Sequence, residues 1–212
     1  MITLGIECST RQGSVALLKD GELLAEQSWI ADRVRHNTIF QTLEELIEEA
    51  NVSYSELSLY AVGRGPGSFS GMRMSFAIAQ ALALPSKTEV RAVSSGAALA
   101  LAAARDGAER IAVVGDARRG QVWIGMFQCL ENGALELSKP WKLIPYGEVN
   151  VPEGTIVVSP EAERLTGIFP NIGNPVFPHA KEVAKLAERQ TKPEPLEPLY
   201  MHPPVFIEPK YA

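Results

Sequence analysis

Apolar and polar residues follow one another with strand-like spacing over residues 2–7, 14–19 and 22–29, which predicts a three-stranded meander at the start of the chain. Asp20-Gly21 separates the last two strands. An Asp-Gly pair is a strong two-residue hairpin signal, because both turn positions need positive φ. The spacing then changes. Ile39, Phe40, Leu43, Leu46, Ile47 and Ala50 fall on one face at helical intervals, and Glu44, Glu45, Glu48 and Glu49 take the other. That pattern predicts a helix over residues 36–50. A strand over 57–64 follows, then a helix over 70–84 stopped by Pro85, a strand over 90–93 and a helix over 95–105.

Around residues 104–109 the plan restarts. A strand over 111–115 ends at Asp116, an Arg118-Arg119-Gly120 turn leads into a strand over 121–129, and Asn132-Gly133 turns the chain into a strand over 134–138. Both halves therefore share an order: apolar strand, acid at its end (Glu7, Asp116), glycine turn (Gly13, Gly120), strand, hairpin glycine (Gly21, Gly133), strand. The turn lengths differ, so the plan repeats and the sequence does not. Further on, a strand over 155–159 and helices over 161–167 and 180–190 are predicted. Pro193, Pro195, Pro198, Pro203, Pro204 and Pro209 rule out a regular helix or central strand at the end, which is expected to be an extended tail. The resulting division is 1–104, 105–190 and a tail at 191–212.

The 212 residues are 46 % hydrophobic and 21 % charged, enough for a core and too apolar for wholesale disorder. The net charge of −5 makes unaided grip on a nucleic-acid backbone unfavourable, since phosphate binding needs a basic patch. The first residues show no basic region or long apolar run, no stretch approaches a membrane span, and Cys8 and Cys129 stand alone. A reduced, cytoplasmic protein with no membrane partner is expected.

The sharpest local signal is Gly63-Arg64-Gly65-Pro66-Gly67-Ser68-Phe69-Ser70-Gly71-Met72-Arg73, placed between a strand and a helix. Glycines there permit tight turns and bare backbone N–H groups, and a helix start favours an anion. The loop is read as contacting a phosphate or a partner. It is not a Walker loop, because no lysine–threonine pair follows. The next helix is apolar on nearly every side, through Met74, Phe76, Ile78 and Leu82 with alanines between, so it is buried all round or covered by a partner. Glu7-Cys8-Ser9-Thr10 and Asp116-Ala117-Arg118-Arg119-Gly120 both sit in turns after strands, where acids and hydroxyls can face a nucleotide or simply cap the turn. His36, His179 and His202 are scattered without metal-ligand spacing. In Gly67-Ser68-Phe69-Ser70-Gly71 the nucleophile position of a G-x-S-x-G elbow is Phe69, which cannot attack.

Taken in order, Leu4-Gly5-Ile6-Glu7-Cys8-Ser9-Thr10, His36, residues 63–73, Asp116-Ala117-Arg118-Arg119-Gly120-Gln121-Val122-Trp123 and Pro198-Leu199-Tyr200 resemble the bacterial TsaB (YeaZ) family of tRNA-modification proteins. The likeness is clear over residues 1 to about 130; Glu7 departs from it, standing where the family usually has aspartate, as does the short C-terminal half. The resemblance implies an α/β ASKHA fold (actin, sugar kinase, Hsp70): two ribonuclease-H-like domains, the second reduced. It also implies a role in forming N6-threonylcarbamoyladenosine beside the tRNA anticodon. There a TsaD-type paralogue transfers the threonylcarbamoyl group and a TsaE-type ATPase joins the pair.

The TsaD type carries a metal-binding H-x-x-x-H after the strand matching residues 90–93. Ser95 and Leu99 occupy those two places here, and neither replaces an imidazole. The resemblance therefore implies a chain with no catalytic centre, metal or cofactor of its own, with ATP or ADP at the partner junction as the open question. It implies a heterodimer with the TsaD type, a homodimer when alone, and contact with tRNA only through the complex. His36, Phe40, Leu43, Gly65, Gly67, Phe69, Met72, Arg73 and Phe76 are the expected partner contacts, and Ser9, Thr10, Asp116 and Arg118 the candidate nucleotide-facing residues. The alternative is an independent ATPase or small-molecule kinase of the same fold. A protease and a direct tRNA binder stand further off.

Overall fold

The computed structural model describes residues 1–30, 38–104, 108–130 and 135–203. Among these, five strands and three helices come first: β1 (Ile2–Glu7), β2 (Gln12–Lys19), β3 (Glu22–Ile30), α1 (Thr38–Glu49), β4 (Leu59–Gly63), α2 (Phe69–Ala83), β5 (Glu89–Val93) and α3 (Ser95–Ala103). Then follow β6 (Arg110–Arg118), β7 (Gln121–Cys129), β8 (Leu135–Pro145), β9 (Ile156–Val158), α4 (Ala162–Leu165) and α5 (Ala180–Arg189).

They form two sheets. The first has the order β3-β2-β1-β4-β5, with β1 antiparallel to β2 and parallel to β4. The second has the order β8-β7-β6-β9, with β6 antiparallel to β7 and parallel to β9. The first four positions repeat strand for strand, and the second sheet lacks the fifth. The turns obey the expected chemistry. Asp20 and Gly21 take φ of 52° and 84°, and Arg118, Arg119 and Gly120 take 64°, 56° and 73°. The Asn132-Gly133 turn lies outside the described residues.

Alternation along each strand sorts the first core into two layers. Leu4, Ile6, Val15, Leu17, Tyr60 and Val62 face α1 and α2, where they meet Leu43, Leu46, Phe76 and Ala79. Ala16, Leu18, Leu59 and Ala61 face the other way and meet α5 through Ala180, Val183, Ala184 and Ala187. Small residues on that side let the helix sit close. A Cβ on Gly5 would land on the carbonyl oxygen of Ala180. The Ser14 hydroxyl then accepts the Ala180 amide proton at 2.9 Å and fixes the start of the helix.

α3 joins the two sheets. Ala98 packs with α5 and the first sheet, while Leu99, Ala100 and Ala103 pack with Ile111, Val113, Trp123 and Phe127 of the second. The Ser94 hydroxyl caps it by accepting the Ala97 amide.

Three features differ from the sequence expectation. β8 runs for 11 residues instead of five, because Trp141 packs edge-on against Trp123 and Phe127 at 5.7 and 5.9 Å; Pro140 is tolerated on this edge strand. β6 continues past Asp116 to Arg118. α5, numbered with the second half of the chain, completes the core of the first sheet.

Gly5→Ala should lower stability by about 1–3 kcal/mol, the usual cost of overpacking against backbone. Melting would fall by roughly 3–10 °C for a chain of this size. Gly147→Ala, with open space around its Cβ, should stay within about 0.5 kcal/mol. Equal melting of the two variants would contradict the packing of α5 described here.

Candidate functional site

A cleft of about 1210 Å³ opens between the two sheets. One wall is the β1–β2 turn and the start of α2; the other is the end of β6 with the approach to α4. Ser9, Thr10, Asp116 and Arg118, the candidate nucleotide-facing residues, all line it, together with Gly67, Phe69, Met72 and Arg73 from the glycine-rich loop.

The glycines let that loop lie directly on the first turn. Cβ atoms on Gly67 and Gly71 would strike the carbonyl oxygens of Ser9 and Cys8. The Ser68 amide donates to the Ser9 carbonyl at 2.6 Å, and the Ser68 hydroxyl caps α2 by accepting from Gly71. Behind the turn, Glu7 is fully buried, with one carboxylate oxygen 2.5 Å from the Ser9 amide and its side chain against Gly63 and Ser95. Burial pushes the Glu7 carboxyl above its ordinary range, and the Ser9 amide with the nearby Ser9 and Ser95 hydroxyls only partly offsets this.

The far wall is a charge network. Asp116 accepts from the Arg118 amide at 2.8 Å, the Arg118 guanidinium at 2.9 Å and the Tyr146 hydroxyl at 3.0 Å, and lies 3.5 Å from Arg164. Burial alone would raise the Asp116 carboxyl; these donors and charges hold it below the usual aspartate range. Glu161 accepts the Asp116 amide at 3.0 Å, and burial pushes its carboxyl up. Arg11 pairs with Glu163 at 3.3 Å. Arg11, Arg118 and Arg164 thus each have a carboxylate of the chain itself.

Ser95 and Leu99 are both occupied with packing. The Ser95 hydroxyl accepts the Gly65 amide at 2.9 Å, and Leu99 is buried among Ile111, Val113 and Trp123. Among the described residues, no group of three or more His, Cys, Asp or Glu is placed to hold a metal ion.

The expected partner contacts divide. Gly67, Phe69 and Arg73 reach the surface, and Phe40 is 54 % exposed on α1. Leu43, Met72 and Phe76 are 2, 1 and 6 % exposed, so they belong to the chain's own core, and an aspartate there would disrupt folding before it tested any partner. Gly65 is buried, and His36 lies outside the described residues. The open face of α2 is instead Ser70, Arg73, Met74, Ala77, Gln80 and Ala81. Helical spacing marks α2 as apolar on most sides, but the open face carries Ser70, Arg73 and Gln80 beside its apolar residues, and the spacing does not show which side the sheet takes.

Sequence reasoning also missed Arg64, Glu161, Arg164 and His202 as site residues. Glu161 and Arg164 lie 45 and 48 positions after Asp116, with no local signal to link them. Pro198-Leu199-Tyr200 was a usable signal, for Tyr200 lies in the cleft wall against Phe69 and Arg73.

Two repeated sheets around a central cleft define the ASKHA class. The activator of the 2-hydroxyisocaproyl-CoA dehydratase from Clostridium difficile shares the fold at a TM-score of 0.50 and 13 % identity, covering 88 % of this chain and 94 % of that one. The family described as TsaD, tRNA N6-adenosine threonylcarbamoyltransferase, matches residues 29–138. YeaZ from Pseudomonas aeruginosa superposes with a TM-score of 0.76 at 29 % identity, over 94 % of this chain and 99 % of that one. The Escherichia coli tRNA threonylcarbamoyladenosine biosynthesis protein TsaB is 35 % identical over 134 residues, 63 % of this chain. The chain belongs to the TsaD family, in its TsaB/YeaZ branch. It spans 58 % of the length of the Escherichia coli relative.

Glu7 gives a pH test. Its folded-state pKa lies above the ordinary value of 4.5, so the folded chain holds this proton more tightly than the unfolded chain. Its contribution is complete below about 4.5 and is lost as pH rises through the folded value. Glu7→Gln lacks that loss, so its stability relative to wild type should climb as pH rises above about 4.5. Denaturant melts at several pH values measure this. A difference that does not change with pH would contradict the burial of an ionisable Glu7.

Proposed function

We propose that this chain is a non-catalytic partner in threonylcarbamoyl transfer to N6 of the adenosine next to the tRNA anticodon. It scaffolds and activates a TsaD-type transferase together with a TsaE-type ATPase, and pairs with itself when the transferase is missing. It reaches tRNA through the complex and holds no cofactor of its own; ATP or ADP belongs at the junction with the partner.

The observation that carries this reading is the uncovered strip along α2: Met74, Ala77 and Ala81, with Leu84 just past the helix end. Two alanines on an open helix face permit close approach by another helix. Phe40 on α1 is exposed on the same side of the first sheet.

The cleft supports the same reading against an independent ATPase. Three of its four arginines, Arg11, Arg118 and Arg164, are already paired with Glu163, Asp116 and Glu161, and the fourth, Arg73, is held against Phe69 and the Tyr200 hydroxyl, which leaves less positive charge for a triphosphate. The places of the paralogue's metal pair hold a hydrogen-bonded serine and a core leucine. The Escherichia coli relative's name, a tRNA threonylcarbamoyladenosine biosynthesis protein, agrees.

The test is pairing of the full chain with its cognate TsaD-type protein, measured by calorimetry. Met74→Asp and Ala81→Asp should weaken pairing at least about 100-fold, since each buries an unpaired charge. Both positions are exposed in the single chain, so the loss of stability should stay within about 1.5 kcal/mol, the helix-propensity and dipole cost of an aspartate there. Leu23→Asp, exposed on β3, should pair normally. Unchanged affinity for both α2 variants, or no pairing of the wild type, would overturn the assignment.

A further inference from the structure

The stretch after α5 is not a solvated tail. From residue 191 to 203 it has no helix or strand, yet it is held at a succession of points that cross from one sheet to the other.

On the first unit the anchor is Arg64, from the glycine-rich loop and only 8 % exposed. Its Nε donates to the Glu197 carbonyl at 3.0 Å, its terminal nitrogen lies 3.3 Å from a Glu194 carboxylate oxygen, and its own carbonyl accepts the Leu199 amide at 2.7 Å. The other Glu194 oxygen accepts the Ser94 amide at 3.1 Å, at the cap of α3. Among the described residues, the side-chain partners of this buried cation all come from residues 191–203, so lifting this strap would leave a guanidinium buried and unpaired.

The next anchor is Tyr200. Its ring lies 5.0 Å from that of Phe69, and the Arg73 guanidinium sits 4.0 Å from the Phe69 centroid and donates to the Tyr200 hydroxyl at 2.8 Å. Both partners belong to the first five residues of α2. Two residues later His202 donates through Nε2 to the carbonyl of Ala117 on β6 at 2.8 Å, and Met201 packs among the side chains of the second sheet, beside Trp123. Two residues of extended chain reach at most about 7 Å. While both anchors hold, the start of α2 and the end of β6 are tethered to each other through this short link, which bounds how far they can part.

We propose that residues 191–203 are a clamp that sets the width of the cleft and couples it to the start of α2. A change in the cleft is then transmitted to α2 through Tyr200, and a change at α2 is transmitted to β6 through His202. The clamp does not depend on what binds either place.

Hydrogen exchange on the full chain tests it. His202→Ala removes an anchor that touches only the second unit. The clamp predicts that amide exchange at Gly71 and Met72, in the first turn of α2, rises about tenfold in this variant, together with that of Leu199. Tyr200→Ala, which frees the same turn directly, should give at least as large a rise. Leu196→Ala, exposed within the strap at 45 %, should leave these amides unchanged. Melting curves identify any variant that has merely lost its fold. If His202→Ala speeds exchange at Leu199 alone, or if Leu196→Ala has the same effect as His202→Ala, the coupling is refuted.

Discussion

The architecture depends on α3, a nine-residue helix without a charge that is largely buried between two sheets, with Ala102 open to solvent. A helix with no polar side must be enclosed. The first sheet cannot do it alone, because α5 already fills that face, so the second sheet closes over α3 with Ile111, Val113, Trp123 and Phe127. The cleft is the gap between the turns at the ends of β1 and β6.

What lines the gap then decides what the chain can do. Closely packed glycines hold the β1–β2 turn against α2, and the opposite wall is an acid–arginine network closed on itself. A network that satisfies its own charges is suited to holding shape, and less to receiving a phosphate. The apolar strip of α2 is the part left open, and it is the surface proposed to meet a partner. The scaffold reading rests on this contrast between a satisfied cleft and an unsatisfied helix.

Much of the fold is legible from residue order. The two meanders, the Asp20-Gly21 hairpin, the Pro85 stop and the repeated plan are local signals with local causes. The failures share one cause. Leu43, Met72 and Phe76 satisfy the helical pattern equally well as core or as interface, and only the sheet beneath them decides. α5 lies far along the chain, and nothing in its sequence says that Gly5 and Ser14 leave space for it. Arg64 reads as a loop residue until the proline-rich end, some 130 positions later, supplies Glu194 and Glu197. Of the site, the turns were legible because glycines and acids mark them, and the pairings across the cleft were not.

The chain is proposed to act only through its partners. The most direct measurement is threonylcarbamoyl transfer to tRNA in a reconstituted mixture of the cognate TsaD-type and TsaE-type proteins, with and without this chain. Product is expected only when the chain is present, with neither tRNA modification nor ATP hydrolysis by the chain alone. Equal product in its absence, or ATP turnover by the isolated chain, would contradict it.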